Sequence, residues 1–218
     1  MHRPEAELGE LWSRAMPLAE PPKPLDPAQW AQLNTLSHIA LPGSGPMAPG
    51  DRGVVFQPSE SLLQDLCQRA SLSKAQLAAD FLNFLGQEKN AKVGAPPETV
   101  LNENDHRWLL VGVRAACDQA QRNGYVKPLV LGMEVGADVA RNGRGLRVAQ
   151  SDALMVTPAF LLSGKGRKVI LNWHWIIALT DLDMREAPIL YRLREPLINQ
   201  IGAQMSAYIA RPGIVSFG

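Results

Sequence analysis

The chain is short of the residues that build metal centres and disulfide frameworks. It has two cysteines and four histidines among 218 residues. Cys67 and Cys117 stand far apart on segments that read as helices, which makes neither a disulfide framework nor a zinc site. Both read as small buried hydrophobes in a reducing, cytoplasmic setting. No run of about 18 apolar residues occurs, so no membrane-spanning helix is expected. Met1 to Glu10 carries acids and no apolar stretch, unlike a secretory signal. There is no G-x-S-x-G, no H-E-x-x-H, no internal repeat and no low-complexity tract. What is present is ordinary for a globular protein. The hydrophobic fraction is 46%, enough for a core, and the length fits one large domain or two small ones.

The net charge of +1 conceals an asymmetry. Residues 1–106 hold 8 Lys and Arg against 13 Asp and Glu, a balance of −5, while residues 107–218 hold 14 against 8, a balance of +6. A split of this kind points to an electrostatic task for the basic half, with nucleic acid the usual partner.

Periodicity divides the chain into a mostly helical region over 1–90 and an α+β region over 101–218, separated by the polar, proline-containing stretch Lys89 to Thr99. Pro4 to Met16 reads as a helix with Leu8, Leu11, Trp12 and Met16 on one face. The proline-rich stretch Pro17 to Pro27 ends it. Asp26 caps a second helix, with Pro27 at its first position and Trp30, Leu33 and Leu36 directed inward. Leu41 to Gly53 is glycine- and proline-rich loop, and Val54 to Phe56 a short strand. Ser59 and Ser61 precede a helix carrying Leu62, Leu63, Leu66 and Cys67. Ser73 caps another, with Leu77, Phe81, Leu82 and Leu85 buried.

In the second region Asn102 to Asn123 reads as a long helix with Trp108, Leu109, Val113, Cys117 and Ala120 on or near one face. Strands are expected over 128–133, 146–149, 153–160 and 168–180, forming a mainly antiparallel sheet. Alternation in the last of these puts Val169, Leu171, Trp173, Trp175, Ile177 and Leu179 on one buried face. A C-terminal helix is expected from Met184 to Ile209, with a break near Pro196.

Few side chains suggest chemistry. His174 lies beside Asn172 on the mixed face of its strand, with no partner acid or nucleophile at a telling spacing, and reads as structural. His38 and His106 receive no role. Asp181, Asp183 and Glu186 read as the acidic first turn of the last helix, where the macrodipole favours them, rather than as a Mg²⁺ site. Gly164 to Lys168 is not a phosphate loop, because no G-x-x-x-x-G-K-[ST] is present and a strand follows it instead of a helix. Basic, glycine-bearing turns remain. Arg141, Arg144 and Arg147 lie in one, and Lys165, Arg167 and Lys168 in the other. These hold six of the 14 cations of their half with no acid inside either turn. Glycine admits a phosphate to the backbone, and arginine grips it in bidentate fashion. These six are the candidate nucleic-acid-binding residues.

The segments LGELWSRAM, ALPGSGPMAPGDRGVVFQPSESLLQDL and SKAQLAADFLNFLG, within residues 8–85, resemble the N-terminal part of the large-subunit-like protein of type IV CRISPR effector complexes. That family has a P-G-D turn and an F-x-P-S strand exit between two C-x-x-C knuckles. Gly50-Asp51, Phe56 and Pro58-Ser59 stand in the corresponding places. The knuckle cysteines do not: Ile39, Pro42, Leu77 and Asp80 lie roughly where ligands would be, so zinc binding is not carried over. The resemblance implies a non-cutting subunit that contacts the guide RNA 5′ end and the short motif beside the DNA target.

Three functions are thereby set against one another. The first is a non-catalytic subunit of a nucleoprotein complex, binding RNA or DNA together with other protein subunits. The second is a phage or mobile-element assembly or scaffold protein without nucleic-acid contact, its proline-rich stretch 17–27 and its tail 211–218 serving as docking segments. The third is a small enzyme centred on His174 and Asp181. No cofactor and no metal is expected. Two distant thiols and four scattered histidines do not supply a tetrahedral ligand set, so elemental analysis of the purified protein should find well under one zinc per chain.

Overall fold

The computed structural model describes residues 25–78, 81, 106–114, 126–137 and 153–210. Helix α1 spans Pro27–His38, followed by strands β1 (Ile39–Ala40) and β2 (Val54–Phe56) and helix α2 (Glu60–Arg69). Strands β3 (His106–Gly112), β4 (Val126–Gly136), β5 (Leu154–Val156), β6 (Phe160–Leu162), β7 (Lys165–Thr180) and β8 (Ile189–Leu193) follow, and helix α3 (Glu195–Ile209) closes the described chain. The strands form one sheet in the order β1-β8-β2-β3-β4-β7-β5, with β6 also on β7. Every pairing is antiparallel. The fold is α+β, as the sequence predicts. Strands β1 and β2 come from residues 1–90 and the others from 101–218. The described parts of the two expected regions therefore share one sheet and its core.

Each face of the sheet carries its own apolar layer. Val55, Leu109, Val111, Val130, Val169, Leu171, Trp173 and Tyr191 pack under Leu197, Ile198, Ile201 and Tyr208 of α3. On the other face, Phe56, Leu110, Leu129, Leu131, Met133 and Ile170 pack against Leu63 and Cys67 of α2 and against Leu77 and Phe81. Burial pushes the Cys67 thiol up in pKa. The predicted caps are present. Asp26 accepts from the Gln29 N–H at 2.8 Å while the Gln29 side chain accepts from the Asp26 N–H at 2.9 Å. The Ser59 hydroxyl accepts from the Leu62 N–H at 3.2 Å. Ser73 and Gln76 form a second reciprocal box.

Several expectations are corrected. Residues 106–112 form a strand, not a helix. The near-unbroken apolar run Trp108 to Val113 fits a strand with both faces covered, which short-range periodicity does not separate from a buried helix. Gly112 also admits the Asp51 carbonyl against its Cα, where any Cβ would collide with that oxygen. The last helix begins at Glu195, and Pro196 sits in its first turn instead of breaking it. Residues 189–193 are β8, and 181–186 are turns. The expected strand over 153–160 is split into β5 and β6 by residues 157–159. The helix expected over 4–16 and the strand over 146–149 lie outside the described residues.

The inward face of α1 is the reverse of the expected one. Trp30, Leu33 and Leu36 point outward, with 51%, 44% and 67% of their surface exposed. Inward stand Ala31, Asn34, Thr35 and His38. Asn34 Nδ2 donates to the Ala159 carbonyl at 3.1 Å, and the Thr35 hydroxyl accepts from the Leu161 N–H at 2.7 Å. The His38 ring stands edge-on to Phe160. The cause is β6, which pairs with β7 alone and leaves its outer backbone groups in need of partners. Polar side chains supply them, so the helix turns its polar side in.

Strand β7 also departs from simple alternation. Gly132 of β4 pairs with Leu171 and Val130 with Ile176, so two steps along β4 match five along β7. The irregularity reverses the facing of the residues beyond it. Trp173 packs on the α3 side, whereas Trp175, Ile177 and Leu179 pack on the α2 side. The two tryptophans do not share a face. Trp173 is buried and Trp175 only half-buried. Trp173→Ala should therefore destabilise the chain by roughly 3–5 kcal/mol, and Trp175→Ala by clearly less, in chemical unfolding.

Candidate nucleic-acid interface

The cations 165–168 are not in a loop. A two-residue turn, Ser163-Gly164, joins β6 to β7 with both residues at positive φ (50° and 73°), the geometry of a tight hairpin. Lys165, Arg167 and Lys168 are thus the first residues of β7. Alternation separates them. Arg167 lies on the same side as Val169, the α3 side, and Lys168 on the side of Ile170. Lys165 is exposed and the other two are half-buried. Arg141, Arg144 and Arg147 lie outside the described residues.

The chain passes out of the described residues toward those arginines beside the same hairpin. Gly136, the last residue of β4, pairs with Arg167. The Ala137 N–H donates to the Gly166 carbonyl at 2.9 Å. It is described again at Ala153, whose carbonyl accepts from the Trp173 N–H at 2.7 Å. Ala137 and Ala153, the described residues on either side of 138–152, are therefore both held against β7.

Arg167 has an acidic neighbour that its own turn lacks. Glu134 of β4 has only 5% of its side chain exposed. Its Oε2 accepts from Arg107 Nη2 at 2.7 Å, its Oε1 lies 3.9 Å from Arg167 Nε, and the Tyr191 hydroxyl stands 3.5 Å from Oε2. The register builds this set, since Arg107 is the direct cross-strand partner of Glu134 and Arg167 lies diagonally across on β7. One buried carboxylate thus stands between two guanidiniums at this end of the sheet. Burial, and next the Glu134 charge, push the Tyr191 phenol far above its ordinary range. Arg107, Glu134 and Tyr191 were not singled out from sequence. The available signal was Glu134 itself, a lone carboxylate in the apolar run of β4, because a buried charge requires partners.

The remaining polar candidates have structural partners. The exposed His174 ring stands against Tyr208, and its backbone N–H donates to Asn172 Oδ1 at 3.0 Å. Asp181 is paired with the buried Lys127. The Thr180 N–H and hydroxyl, donating to Asp183 at 2.8 and 2.7 Å, hold its carboxyl below the usual range. Asp181, Asp183 and Glu186 thus belong to a turn after β7 and not to the first turn of α3. Among the described residues no group of three or more His, Cys, Asp or Glu could hold a metal ion, and no helix is long and apolar enough to cross a membrane. Set against family models, curated proteins and solved structures, the chain matches none.

The raised Tyr191 pKa gives the fold an alkaline limit. The buried phenol keeps its proton in the fold, while the unfolded chain releases it near pH 10. Its contribution is complete below that pH and is lost as pH rises above it, at about 1.4 kcal/mol per pH unit. Unfolding titrations above pH 10 should show this slope in the native chain and lack it in Tyr191→Phe.

Proposed function

We propose that the chain is a non-catalytic, cytoplasmic subunit of a nucleoprotein assembly. It holds RNA or DNA by the phosphate backbone at the β4–β7 end of the sheet and works alongside other protein subunits. One observation carries the reading. The Ala137–Gly166 hydrogen bond sets the start of the segment bearing Arg141, Arg144 and Arg147 beside the strand bearing Lys165, Arg167 and Lys168. The chain thereby leaves for one basic cluster from beside the strand that carries the other. Arg107 adds a cation next to them, steadied by a buried carboxylate. Clustered cations of this kind bind phosphate by releasing condensed counterions, whatever the base sequence. The resemblance of residues 8–85 to the type IV CRISPR large-subunit-like protein favours an RNA-guided effector complex as the assembly.

Because Arg167 faces Glu134, it is best left intact in a test of phosphate binding. Lys165→Ala, Lys168→Ala, Arg141→Ala, Arg144→Ala and Arg147→Ala, combined in one chain, should preserve the fold. The salt dependence of nucleic-acid affinity should flatten by roughly one unit of log–log slope for each phosphate that the variant no longer neutralises. The titration is run on the assembled complex if the isolated chain does not bind. An unchanged slope would leave these cations as ordinary surface and favour a scaffold protein without nucleic-acid contact.

A further inference from the structure

Helix α1 is built inside out, and its outward face has no partner among the described residues. Its inner side is anchored to β6 by Asn34 and Thr35. Rotation of the helix to bury Trp30, Leu33 and Leu36 would break both hydrogen bonds, so the apolar side is held outward by the fold. Leu25, just before the helix, and Leu41, beyond β1, are exposed as well. Isolated exposed leucines are common, but three large apolar residues along one short helix form a patch.

We propose that this face is the seat of residues 4–16 of the same chain, docked as an amphipathic helix across Trp30, Leu33 and Leu36. The sequence of that segment supplies a matching stripe. Leu8, Leu11, Trp12 and Met16 recur at helical spacing, while Glu7, Glu10 and Arg14 fall on the opposite side. Its connection has suitable length. Residues 17–26 link it to α1 and include four prolines, so they reach at most about 30 Å at roughly 3.1 Å per residue. The 12 residues of α1 extend only about 18 Å, so the segment can fold back along the whole helix.

Size and concentration favour this occupant over others. Large aromatic and aliphatic side chains of this kind bury at most about 150–250 Å² each. Three half-exposed ones fall well short of the roughly 800 Å² per partner of a stable association between separate proteins. They match one short helix. A segment tethered by a short linker presents itself at about millimolar effective concentration, above any ordinary concentration of a second copy. The absence of charged side chains from the face also gives an electrostatic partner nothing to read: Trp30, Leu33 and Leu36 are all neutral.

Amide hydrogen exchange of the full-length chain tests the assignment. Residues 8–16 should be protected at least about tenfold over unstructured rates, independently of protein concentration. Leu33→Asp should abolish that protection while β3, β4 and β7 stay protected. Leu182→Asp, at an exposed leucine away from α1, should leave it intact. Leu11→Asp, on the other partner, should raise exchange of Trp30's neighbours and answers the question should Leu33→Asp perturb the sheet. Unstructured exchange over 8–16 in the native chain would overturn the proposal, as would protection that survives both aspartate variants. Protection that disappears on dilution would assign the face to a second copy of the chain instead.

Discussion

The turn Pro49 to Gly53 is the constraint on which the arrangement of the sheet depends. It lies between the ends of two strands. The Gly53 N–H donates to the Gly112 carbonyl at 2.8 Å, and the Gly53 carbonyl accepts from the Leu193 N–H at 2.8 Å. β3 and β8 are thus joined through β2 at the point where β2 begins. Arg52 extends the link to α3: one guanidinium nitrogen donates to the Arg114 carbonyl at 2.5 Å, and the other to Asn199 Oδ1 at 2.6 Å, with Glu195 3.6 Å away. Asp51 accepts from the Ala48 N–H and pairs with Arg192. Lys127, passing over Gly50, carries the link to β4 and Asp181. Five residues therefore tie together β2, β3, β4, β8 and α3. Such a joint lets a loop rich in glycine and proline act as a keystone of the fold.

The other region of concentrated polarity, Glu134 with Arg107, Arg167 and Tyr191, follows a different logic. A carboxylate withdrawn from water is costly unless opposite charges and donors surround it. Two arginines reach it from the strands on either side, and part of each remains near solvent. Its effect is to fix two guanidiniums at one end of three interior strands. Side chains held this way have already lost much of their freedom in the fold.

Local chemistry was legible in the sequence, and long-range pairing was not. Asp26, Ser59 and Ser73 announced helix starts because a cap is written within four residues. The direction of α1 was hidden, since it depends on the unpaired edge of β6, more than a hundred residues away. Trp108 to Val113 read as a helix because a run buried on both sides has no period to distinguish it. Alternation in β7 was correct up to Trp173 and failed from Trp175 onward, because the extra residues are absorbed only in pairing with β4. The same holds for the candidate site. Acid-free turns were visible as composition, yet Glu134 meets Arg167 through strand register, which no spacing along the chain encodes.

The covering of β6 by α1 has a consequence for how the protein behaves in a crowded solution. An open strand edge is a template on which another chain can add a strand, and sheets left with one tend to polymerise. Here the Leu161 amide and the Ala159 carbonyl are occupied by side chains of a helix, not by another strand. The Thr35 hydroxyl is also anchored to its own helix through the Ala31 carbonyl at 2.7 Å. The guard is therefore a helix whose outer surface is apolar. An occupant of that outer surface, such as the segment proposed above, would also steady the helix that keeps the edge shut, so docking at α1 and protection of the edge would be coupled.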